Sequence, residues 1–372
     1  MTSKLSNICF YAKGKVAVKS LTKANYISTE NMLPNRGGVV NATTLPTIED
    51  TQGYCVGDVL VSNIRPYFKK IWFADSNGGC SNDVLVFRAK DGVDARYLYY
   101  VLADDSFFNY SNATSKGTKM PRGDKSAIMD YIIEEHSLIE QHRIADILSA
   151  LDKKIANNNA INDNLQQQAQ ALYKDMFSAH TSDDWELGTL SDLAEIVMGQ
   201  SPSGDSYNEE GNGMVFFQGR TEFGARFPTI RLYTTEPKRV AKENDVLMSV
   251  RAPVGDINIA HEECCIGRGL GALRSKTGDQ SFLLYTLYSL QQQLQVFNGE
   301  GTVFGSINRD SLNGLQLKIP DKDTIKRFET IASPMDVAIR INHDENCRLA
   351  SIRNALLPCL MSGEIDVSEV DI

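Results

Sequence analysis

The sequence has few of the features that would indicate a catalytic, metal-binding or membrane protein. Its 372 residues include seven cysteines, none of them paired at two-residue spacing, so neither a disulfide framework nor a zinc ribbon is expected. No run of about 18 apolar residues exists to span a membrane. The first residues lack the apolar segment of a signal peptide. These absences predict a cytoplasmic protein.

Nucleotide-binding and catalytic motifs are also missing. There is no phosphate-binding loop ending in Gly-Lys-Ser/Thr, and no Gly-x-Gly-x-x-Gly run follows a strand pattern. Gly267-Arg-Gly-Leu-Gly271 comes close, but it is better explained as flexible backbone near a turn or ligand. His261-Glu-Glu-Cys-Cys265 contains metal-ligating residue types. Adjacent strand residues point to opposite faces, however, so they rarely share one ion. We therefore expect no catalytic residue, no metal and no cofactor on this chain.

Two segments, residues 137–177 and 321–361, repeat the same pattern at a constant offset of 184 residues. Each opens with a short amphipathic segment, followed by a second helix-start signal at Ser149 and at Ser333-Pro334. Apolar residues then recur at alternating spacings of four and three, which predicts two helices of about 28 residues with a coiled-coil seam. Polar residues inside such a seam usually fix its register. The predicted seam residues are Leu151, Ile155, Asn158, Asn162, Leu165, Leu172, Met335, Ile339, Asn342, Asn346, Leu349 and Leu356.

The remaining sequence forms two globular units, which also repeat each other. Asp58-Val-Leu-Val-Ser62 and Asp245-Val-Leu-Met-Ser249 read as matching strands, and Pro66 and Pro253 follow them. Gly301-Thr302 corresponds to Gly117-Thr118 at the helix offset. A short helix is expected from Ser191 to Met198. The net charge is −9, and all of the excess acid lies after residue 178, because residues 1–178 carry 20 basic and 19 acidic groups. Local fields, not net charge, steer partners.

Arg, Lys, Gln and Asn residues gather in small, flexible loops at matching places of both units. These side chains suit contacts with phosphates and with the edges of guanine and adenine. They are therefore candidate DNA-binding residues. The set comprises Arg65, Lys69, Lys70, Lys116, Gly117, Thr118, Lys119, Arg122 and Lys125 in the first unit, and Gln218, Arg220, Arg226, Arg251, Arg268, Thr302, Asn308 and Arg309 in the second.

With this duplicated layout, the chain resembles the specificity subunit of type I restriction–modification enzymes. The resemblance covers the whole chain and is strongest in its second half. It is carried by Val215-Phe-Phe-Gln-Gly219, Asp245-Val-Leu-Met-Ser-Val-Arg-Ala-Pro253, Ile266-Gly-Arg-Gly-Leu-Gly-Ala-Leu273, Ile307-Asn-Arg-Asp-Ser-Leu312, Leu138-Ile-Glu-Gln-His-Arg-Ile144 and Leu360-Met-Ser-Gly-Glu-Ile365. Residues 1–136 depart from the usual pattern, because they lack a loop like Gly199-Gln-Ser-Pro-Ser-Gly204.

The resemblance implies an α+β fold with two target-recognition domains separated by an antiparallel pair of long helices. The domains would be residues 1–136 and 179–320, the helical regions 137–178 and 321–372, and the acidic tail after Gly363 would be disordered. The chain would not be an enzyme. Each domain would read half of a split double-stranded DNA target. Two methyltransferase subunits, with or without restriction subunits, would dock on the helices. S-adenosylmethionine, ATP and Mg²⁺ would bind to those partners.

Two other classes of protein remain open from the residues alone. A free-standing DNA methyltransferase or nuclease would need a cofactor loop or a catalytic constellation, and the sequence shows neither. A coiled-coil adaptor that binds only protein would account for the helices. It would not account for two globular units with different basic loops.

Overall fold

Two helices of the computed structural model are far longer than the others. The structure describes residues 1–179, 185–299 and 305–368. The long helices are α5, with 37 residues, and α10, with 40 residues. In chain order the α-helices are α1 (Leu5–Ile8), α2 (Ala95–Ala103), α3 (Asp105–Ala113), α4 (Lys125–Met129), α5 (Leu138–Lys174), α6 (Leu190–Leu193), α7 (Gln280–Ser289), α8 (Gln291–Gln295), α9 (Arg309–Asn313) and α10 (Lys322–Met361).

The chain divides into two compact units, and each long helix contributes to both. Unit 1 comprises Met1–Asn158 and Asp344–Ile372, and unit 2 comprises Asn159–His343. The predicted domain boundaries at residues 136, 178 and 320 stay a prediction. The two compact units are divided within the long helices, and this division does not test where the globular domains end.

Unit 1 contains two four-stranded sheets and a two-stranded ribbon. The first sheet has the order β2-β9-β6-β7, the second β3-β5-β8-β4, and the ribbon joins β1 to β10. All pairs are antiparallel except β4 with β8. The strands are β1 (Thr2–Lys4), β2 (Cys9–Tyr11), β3 (Lys15–Ala17), β4 (Tyr26–Ile27), β5 (Asp50–Tyr54), β6 (Val59–Ser62), β7 (Ile71–Phe73), β8 (Gly78–Cys80), β9 (Val84–Ala89) and β10 (Ile132–Glu134).

Unit 2 repeats this plan. Its sheets have the orders β12-β20-β17-β18 and β13-β15-β14-β19-β16, and its ribbon joins β11 to β21. Among its described strands, only β14 and β19 pair in parallel. The strands are β11 (Glu186–Thr189), β12 (Ala194–Met198), β13 (Tyr207–Asn208), β14 (Met214–Phe217), β15 (Leu232–Thr234), β16 (Val240–Ala241), β17 (Val246–Ser249), β18 (Ile257–Ile259), β19 (Cys264–Ile266), β20 (Leu270–Ser275) and β21 (Gln316–Ile319).

The continuous apolar strand in each unit is buried on both faces, as such a sequence run favours. On β6, Val59 and Val61 pack in the same cluster as the helices, whereas Leu60 packs in a second cluster on the other face. On β17, Met248 packs in the same cluster as the helices, and Leu247 packs in a second cluster on the other face. The strand therefore ties a helical layer to a second sheet in both units.

An ion pair between a buried aspartate and a partly exposed arginine recurs at the start of this strand. Asp58 accepts two hydrogen bonds from Arg88, both of 2.7 Å, and Asp245 accepts two from Arg274 at the same distances. Each aspartate also caps the preceding turn, accepting the backbone N–H of Cys55 in one unit and of Lys242 in the other. The repeat expected from the sequence thus extends to the side-chain hydrogen bonds that stabilise the sheet in each unit.

The predicted helix starts at Ser149 and Ser333 are wrong. Both positions lie inside continuous helices, which begin at Leu138 and Lys322. Pro334 lacks only one N–H, and the tertiary contacts on either side hold the helix together despite that missing hydrogen bond. Asp152 and Asp336, which follow these serines by three residues, therefore do not lie at helix N-termini.

Instead, each of these aspartates accepts a hydrogen bond from a tyrosine of a globular unit. Tyr100 on α2 donates to Asp152 at 2.7 Å, and Tyr285 on α7 donates to Asp336 at 2.8 Å. Burial, together with the aspartate beside it, raises the pKa of each tyrosine. The same pattern thus fastens a short helix to a long one in both units.

The predicted seam residues are all buried or partly buried. In unit 1, Asn158 donates to Asn346 at 2.9 Å and to Glu345 at 2.7 Å. In unit 2, Asn342 donates to Asn162 at 2.8 Å. Each asparagine thus pairs with the counterpart of the other. This crosswise pairing makes the helices antiparallel and fixes their register.

Two further expectations are corrected. Residues 194–198 form strand β12 and not a helix, because alternate side chains are buried and the segment pairs with β20. In the described part of the tail, residues 364–368 pack against the rest of unit 1, since Val367 is buried and the Arg143 side chain donates to its carbonyl at 3.0 Å. None of the seven cysteines, all of which lie in the described ranges, forms a disulfide, and burial raises the pKa of Cys80 to about 12. No helix in the described ranges is long and apolar enough to cross a membrane.

Candidate nucleic-acid interface

The predicted DNA-binding residues of unit 1 lie on loops that backbone hydrogen bonds join together. Arg65 donates its N–H to Pro121, and Lys116 and Arg122 exchange two N–H···O bonds of 2.9 Å. This exchange forms a small hairpin with Gly117, Thr118 and Lys119 exposed near its tip. Two loops more than 50 residues apart in sequence therefore form one surface.

A third loop belongs to this surface and was not predicted as part of it. Asn35 and Arg36 donate their N–H groups to Phe68 and Lys69 at 2.8 and 2.9 Å. The sequence of this loop, Asn35-Arg-Gly-Gly38, is typical of a turn. Its left-handed residues, at φ 54° and 62°, make the sharp approach to the neighbouring loop. Nothing in the local sequence identifies that neighbour.

Carboxylates already hold several cations of the unit 1 surface. Lys69 binds Asp105 at 2.8 Å and Lys116 binds Asp124 at 2.5 Å. The Lys116 side chain and the N–H groups of Ala127 and Ser126 lower the pKa of Asp124. Arg122 donates to Asp83 at 3.1 and 3.4 Å.

The other predicted residues of unit 1 differ in how they are held. Lys70 donates to the Thr29 carbonyl at 2.6 Å. Lys119 and Lys125 are exposed and form no ion pair within the described part of the chain. Arg65 has a left-handed backbone, and its buried Nε has no partner. Exposed Tyr67, Phe68 and Met120 lie on the same loops.

In unit 2 the loops meet through close backbone packing at glycines. Gly267 donates its N–H to Phe217, and Gly199 donates to Leu270. A Cβ on Gly199 would lie 2.1 Å from the Gly267 carbonyl oxygen, so no side chain fits there. Arg268 follows Gly267 and donates its N–H to the Ser201 side chain at 3.3 Å. Ser201 was not among the predicted site residues.

The remaining predicted residues of unit 2 are placed as follows. Gln218, Arg220, Arg251, Arg268 and Arg309 are exposed, and Arg220 forms an ion pair with Asp256. Asn308 is exposed and caps α9 by accepting the Ser311 N–H at 2.8 Å. In the described ranges, Arg251, Arg268 and Arg309 have no carboxylate partner. Thr302 lies outside the described residues.

Arg226 is a correction, because it belongs to the interior of unit 2. Its side chain is 6% exposed and binds Asp336 of α10, while its Nη1 donates to Gln166 of α5 at 3.3 Å. Burial alone would lower the pKa of Arg226. The Asp336 carboxylate opposes that effect, and the pKa lies above its usual value, so the guanidinium stays charged. Because Arg226 is buried and paired with Asp336, its side chain is not exposed to contact DNA.

One arrangement of backbone hydrogen bonds is common to the two surfaces, and we call it the loop frame. In unit 1 the frame consists of residues 63–65, 83 and 121–123, and in unit 2 of residues 250–252, 269 and 305–307. The unit 1 bonds are Asn63 N–H to Asp83 (2.8 Å), Arg65 to Pro121 (2.8 Å) and Gly123 to Asn63 (3.2 Å). The unit 2 bonds are Val250 to Gly269 (3.0 Å), Ala252 to Gly305 (2.9 Å) and Ile307 to Val250 (3.0 Å).

The loop frame also contains one matched bridge in each unit. Ile64 faces Arg122 in unit 1, and Arg251 faces Ser306 in unit 2. The residue after each frame is a helix cap, Asp124 before α4 and Asn308 before α9. The backbone hydrogen bonds of the frame are thus the same in both units, while the side chains it presents are different.

Comparison with known proteins identifies the class to which this duplicated fold belongs. The family model for the type I restriction modification DNA specificity domain matches residues 1–167 and again residues 182–350. The chain therefore belongs to that family, with two copies of its domain, and its role is DNA sequence specificity.

Similar proteins agree with this assignment. A Methanocaldococcus jannaschii protein named as the MjaX type I restriction enzyme specificity subunit is 31% identical, over 77% of this chain and 72% of its own. The Haemophilus influenzae HindI specificity subunit is 22% identical, over 83% and 86%. The solved type I restriction-modification S subunit from M. genitalium shares the fold, with a TM-score of 0.62 at 17% identity over 97% and 96% of the chains.

Proposed function

We propose that this chain is the non-catalytic specificity subunit of a type I restriction–modification complex, and that each unit reads one half of a split DNA target. The observation that carries the proposal is the loop frame. It recurs with the same hydrogen bonds in both units, yet presents Ile64, Asp83 and Arg122 in one and Arg251, Gly269 and Ser306 in the other. One hydrogen-bond pattern with two sets of side chains suits recognition of two different sequences.

Unpaired cations around the frame support DNA as the ligand. Lys119, Arg251 and Arg268 are exposed on loops whose backbones are held by hydrogen bonds, and Arg309 is exposed at the first residue of α9. Such cations attract the phosphate backbone, and arginine also reads base edges. A protein-only adaptor would give no reason for matched cationic loops in both units.

The partners we propose are methyltransferase subunits, two per chain, with restriction subunits as a further addition. Apolar side chains on α10 support docking there. Val337 and Ile341 in unit 2 are 53% and 61% exposed, and Ile352 in unit 1 is 48% exposed. Exposed apolar residues on a helix favour burial against another protein.

We also propose that catalysis belongs to these partners. S-adenosylmethionine, ATP and Mg²⁺ would bind to them and not to this chain. The motivation is the lack of a cofactor loop in the sequence. Cytoplasmic localisation stays a prediction of the same kind. Isothermal calorimetry with S-adenosylmethionine and the purified chain should show no binding, and stoichiometric binding would contradict this part of the proposal.

Methylation-sensitive sequencing tests the central proposal. DNA from cells with and without the gene for this chain should differ at a motif of two specified parts separated by an unspecified gap. Deleting the gene should abolish methylation at every copy of that motif. Methylation that persists without this chain would refute the proposal.

A further inference from the structure

The matched loop frames differ in one chemical respect that bears on which base each unit reads. An arginine is present at the bridge of both frames, but on opposite sides of it. In unit 2 it is Arg251, facing Ser306, and in unit 1 it is Arg122, facing Ile64. The residue at the neighbouring frame position, Gly269 in unit 2 and Asp83 in unit 1, determines whether that arginine is paired with a carboxylate.

In unit 2 the arginine has no carboxylate beside it. The frame position that accepts the backbone N–H of Val250 is Gly269. A Cβ there would lie 2.9 Å from the Gln218 carbonyl oxygen, so the close packing of the loops excludes a side chain. Arg251 is exposed and forms no ion pair among the residues that the structure describes. Its guanidinium is a free donor on a backbone fixed at both neighbours.

In unit 1 the equivalent position is Asp83, whose backbone carbonyl accepts the N–H of Asn63 just as that of Gly269 accepts the N–H of Val250. Its carboxylate accepts from Nε and Nη2 of Arg122 at 3.1 and 3.4 Å. This pairing occupies one edge of the guanidinium and neutralises its charge. The negative oxygens would also repel the acceptor atoms of a guanine placed beside them.

Guanine presents two acceptors, O6 and N7, in the major groove, and a free arginine matches them with two parallel donors. We propose that Arg251 reads a guanine in the half-site of unit 2, and that Asp83 withholds Arg122 from that contact in the half-site of unit 1. The inference rests on the proposed function and adds the chemistry by which the two half-sites differ. Asp83 is thus a positioning residue, acting on specificity through Arg122.

Exchanging the frame residues between units provides the test, using the full chain in its complex in cells and methylation-sensitive sequencing as the readout. Arg251→Ile installs the residue found at the matched position, 64. It should reduce discrimination at one G·C pair of one half-site by roughly 5- to 100-fold, the size of one bidentate contact. The other half-site should not change.

Asp83→Ala should have the opposite effect on the other half-site. It frees Arg122, and a new preference for guanine should appear at one position there. Asp130→Ala, which breaks an exposed ion pair with Lys4 away from the frame, is the matched control and should leave both half-sites unchanged. Asp83→Asn replaces Asp83→Ala if the alanine variant melts below the wild-type chain.

The possible results separate the inference from the function beneath it. Failure to find any two-part motif that depends on the wild-type chain would overturn the proposed function. A two-part motif that keeps all its guanines with Arg251→Ile would overturn the inference alone. Loss of an existing guanine preference with Asp83→Ala would show that Asp83 directs Arg122 toward DNA, and would overturn the role given to Asp83.

Discussion

Removing the carboxylate of Asp336 should lower the stability of unit 2, because the side chains of Arg226 and Tyr285 both bind to that carboxylate. Arg226 lies with 6% of its side chain exposed, and Asp336 with 16%. The Tyr285 hydroxyl donates to the same carboxylate at 2.8 Å, and the Arg226 guanidinium lies 5.9 Å from the Tyr285 ring centre. Asp336→Ala therefore leaves a buried positive charge without its counter-ion and a hydroxyl without its acceptor.

The expected loss is large for a single substitution. Breaking one partner of a buried ion pair costs about 3–5 kcal/mol, and a stranded polar group costs about 1–3 kcal/mol. These contributions share one network and do not add. The Nε of Arg226 already has no partner, so the remaining network has no donor or acceptor to spare. We expect a decrease of at least about 3 kcal/mol in the free energy of unfolding.

The two tryptophans allow the units to be followed separately, since Trp72 belongs to unit 1 and Trp185 to unit 2. In a Trp72→Phe background, the fluorescence of Trp185 in a urea titration reports unit 2. Asp256→Ala is the control, because it breaks an ion pair with Arg220 whose side chains are 46% and 43% exposed. That change should cost less than about 1 kcal/mol.

A loss below about 1 kcal/mol for Asp336→Ala would refute the argument that this pair holds unit 2 together. The double variant Arg226→Met with Asp336→Leu provides a second check. It removes both charges and should recover much of the lost stability, since apolar replacements of a buried pair are often neutral or better. A double variant as unstable as the single one would mean that shape, not charge, accounts for the loss.

Three other predictions concern charges elsewhere in the chain. Lys119→Ala should reduce the salt slope of DNA binding by about one, and Lys116→Ala by less, because its partner already neutralises it; equal slopes in filter-binding titrations would contradict this. Burial raises the pKa of Glu329, so its neutral form contributes stability at low pH that is lost as the pH rises through the folded-state pKa. Glu329→Gln does not titrate and keeps one acceptor for the N–H groups of Ser281 and Phe282. Its stability relative to wild type should therefore increase as the pH rises from about 4 to 8 in urea titrations. Arg143→Ala should speed hydrogen exchange around Val367, and unchanged exchange would mean that apolar packing alone holds the tail.

Sequence periodicity predicted what depends on spacing along the chain. The seam residues recur at spacings of four and three, so their burial or partial burial follows from the helix period. The partners of the asparagines, Asn346 for Asn158 and Asn342 for Asn162, depend on the register of the two helices and did not follow from that period. The starts of the helices could not be predicted in the same way. Ser149 and Pro334 are good starting residues, yet contacts such as that of Tyr285 with Asp336 stabilise the helix through those positions. Tertiary packing outweighed the local signal.

The candidate interface was predictable as a set of loops but not as a surface. Arg226 and Arg251 both lie in loops rich in small residues, and nothing local separates them. Arg226 is buried because Asp336, 110 residues later, lies within hydrogen-bonding reach. The Asp83–Arg122 contact likewise joins residues 39 apart. Such pairings depend on how distant loops meet, and one sequence does not contain that information in its spacing.

The atoms that set stability in this chain are different from the atoms that would set specificity. The ion pairs of Asp58 with Arg88 and of Asp245 with Arg274 keep the same residues and distances in both units. The loop frame, by contrast, is held by backbone groups, which any residue except proline can supply. Its side chains can therefore differ between units, as Ile64 and Arg251 do, without breaking a hydrogen bond of the frame. Gly269 is the exception, because packing against Gln218 leaves no room for a Cβ. Unit 2 thus cannot acquire an aspartate at that position unless the loop carrying Gln218 moves, whereas unit 1 can lose its own by one substitution.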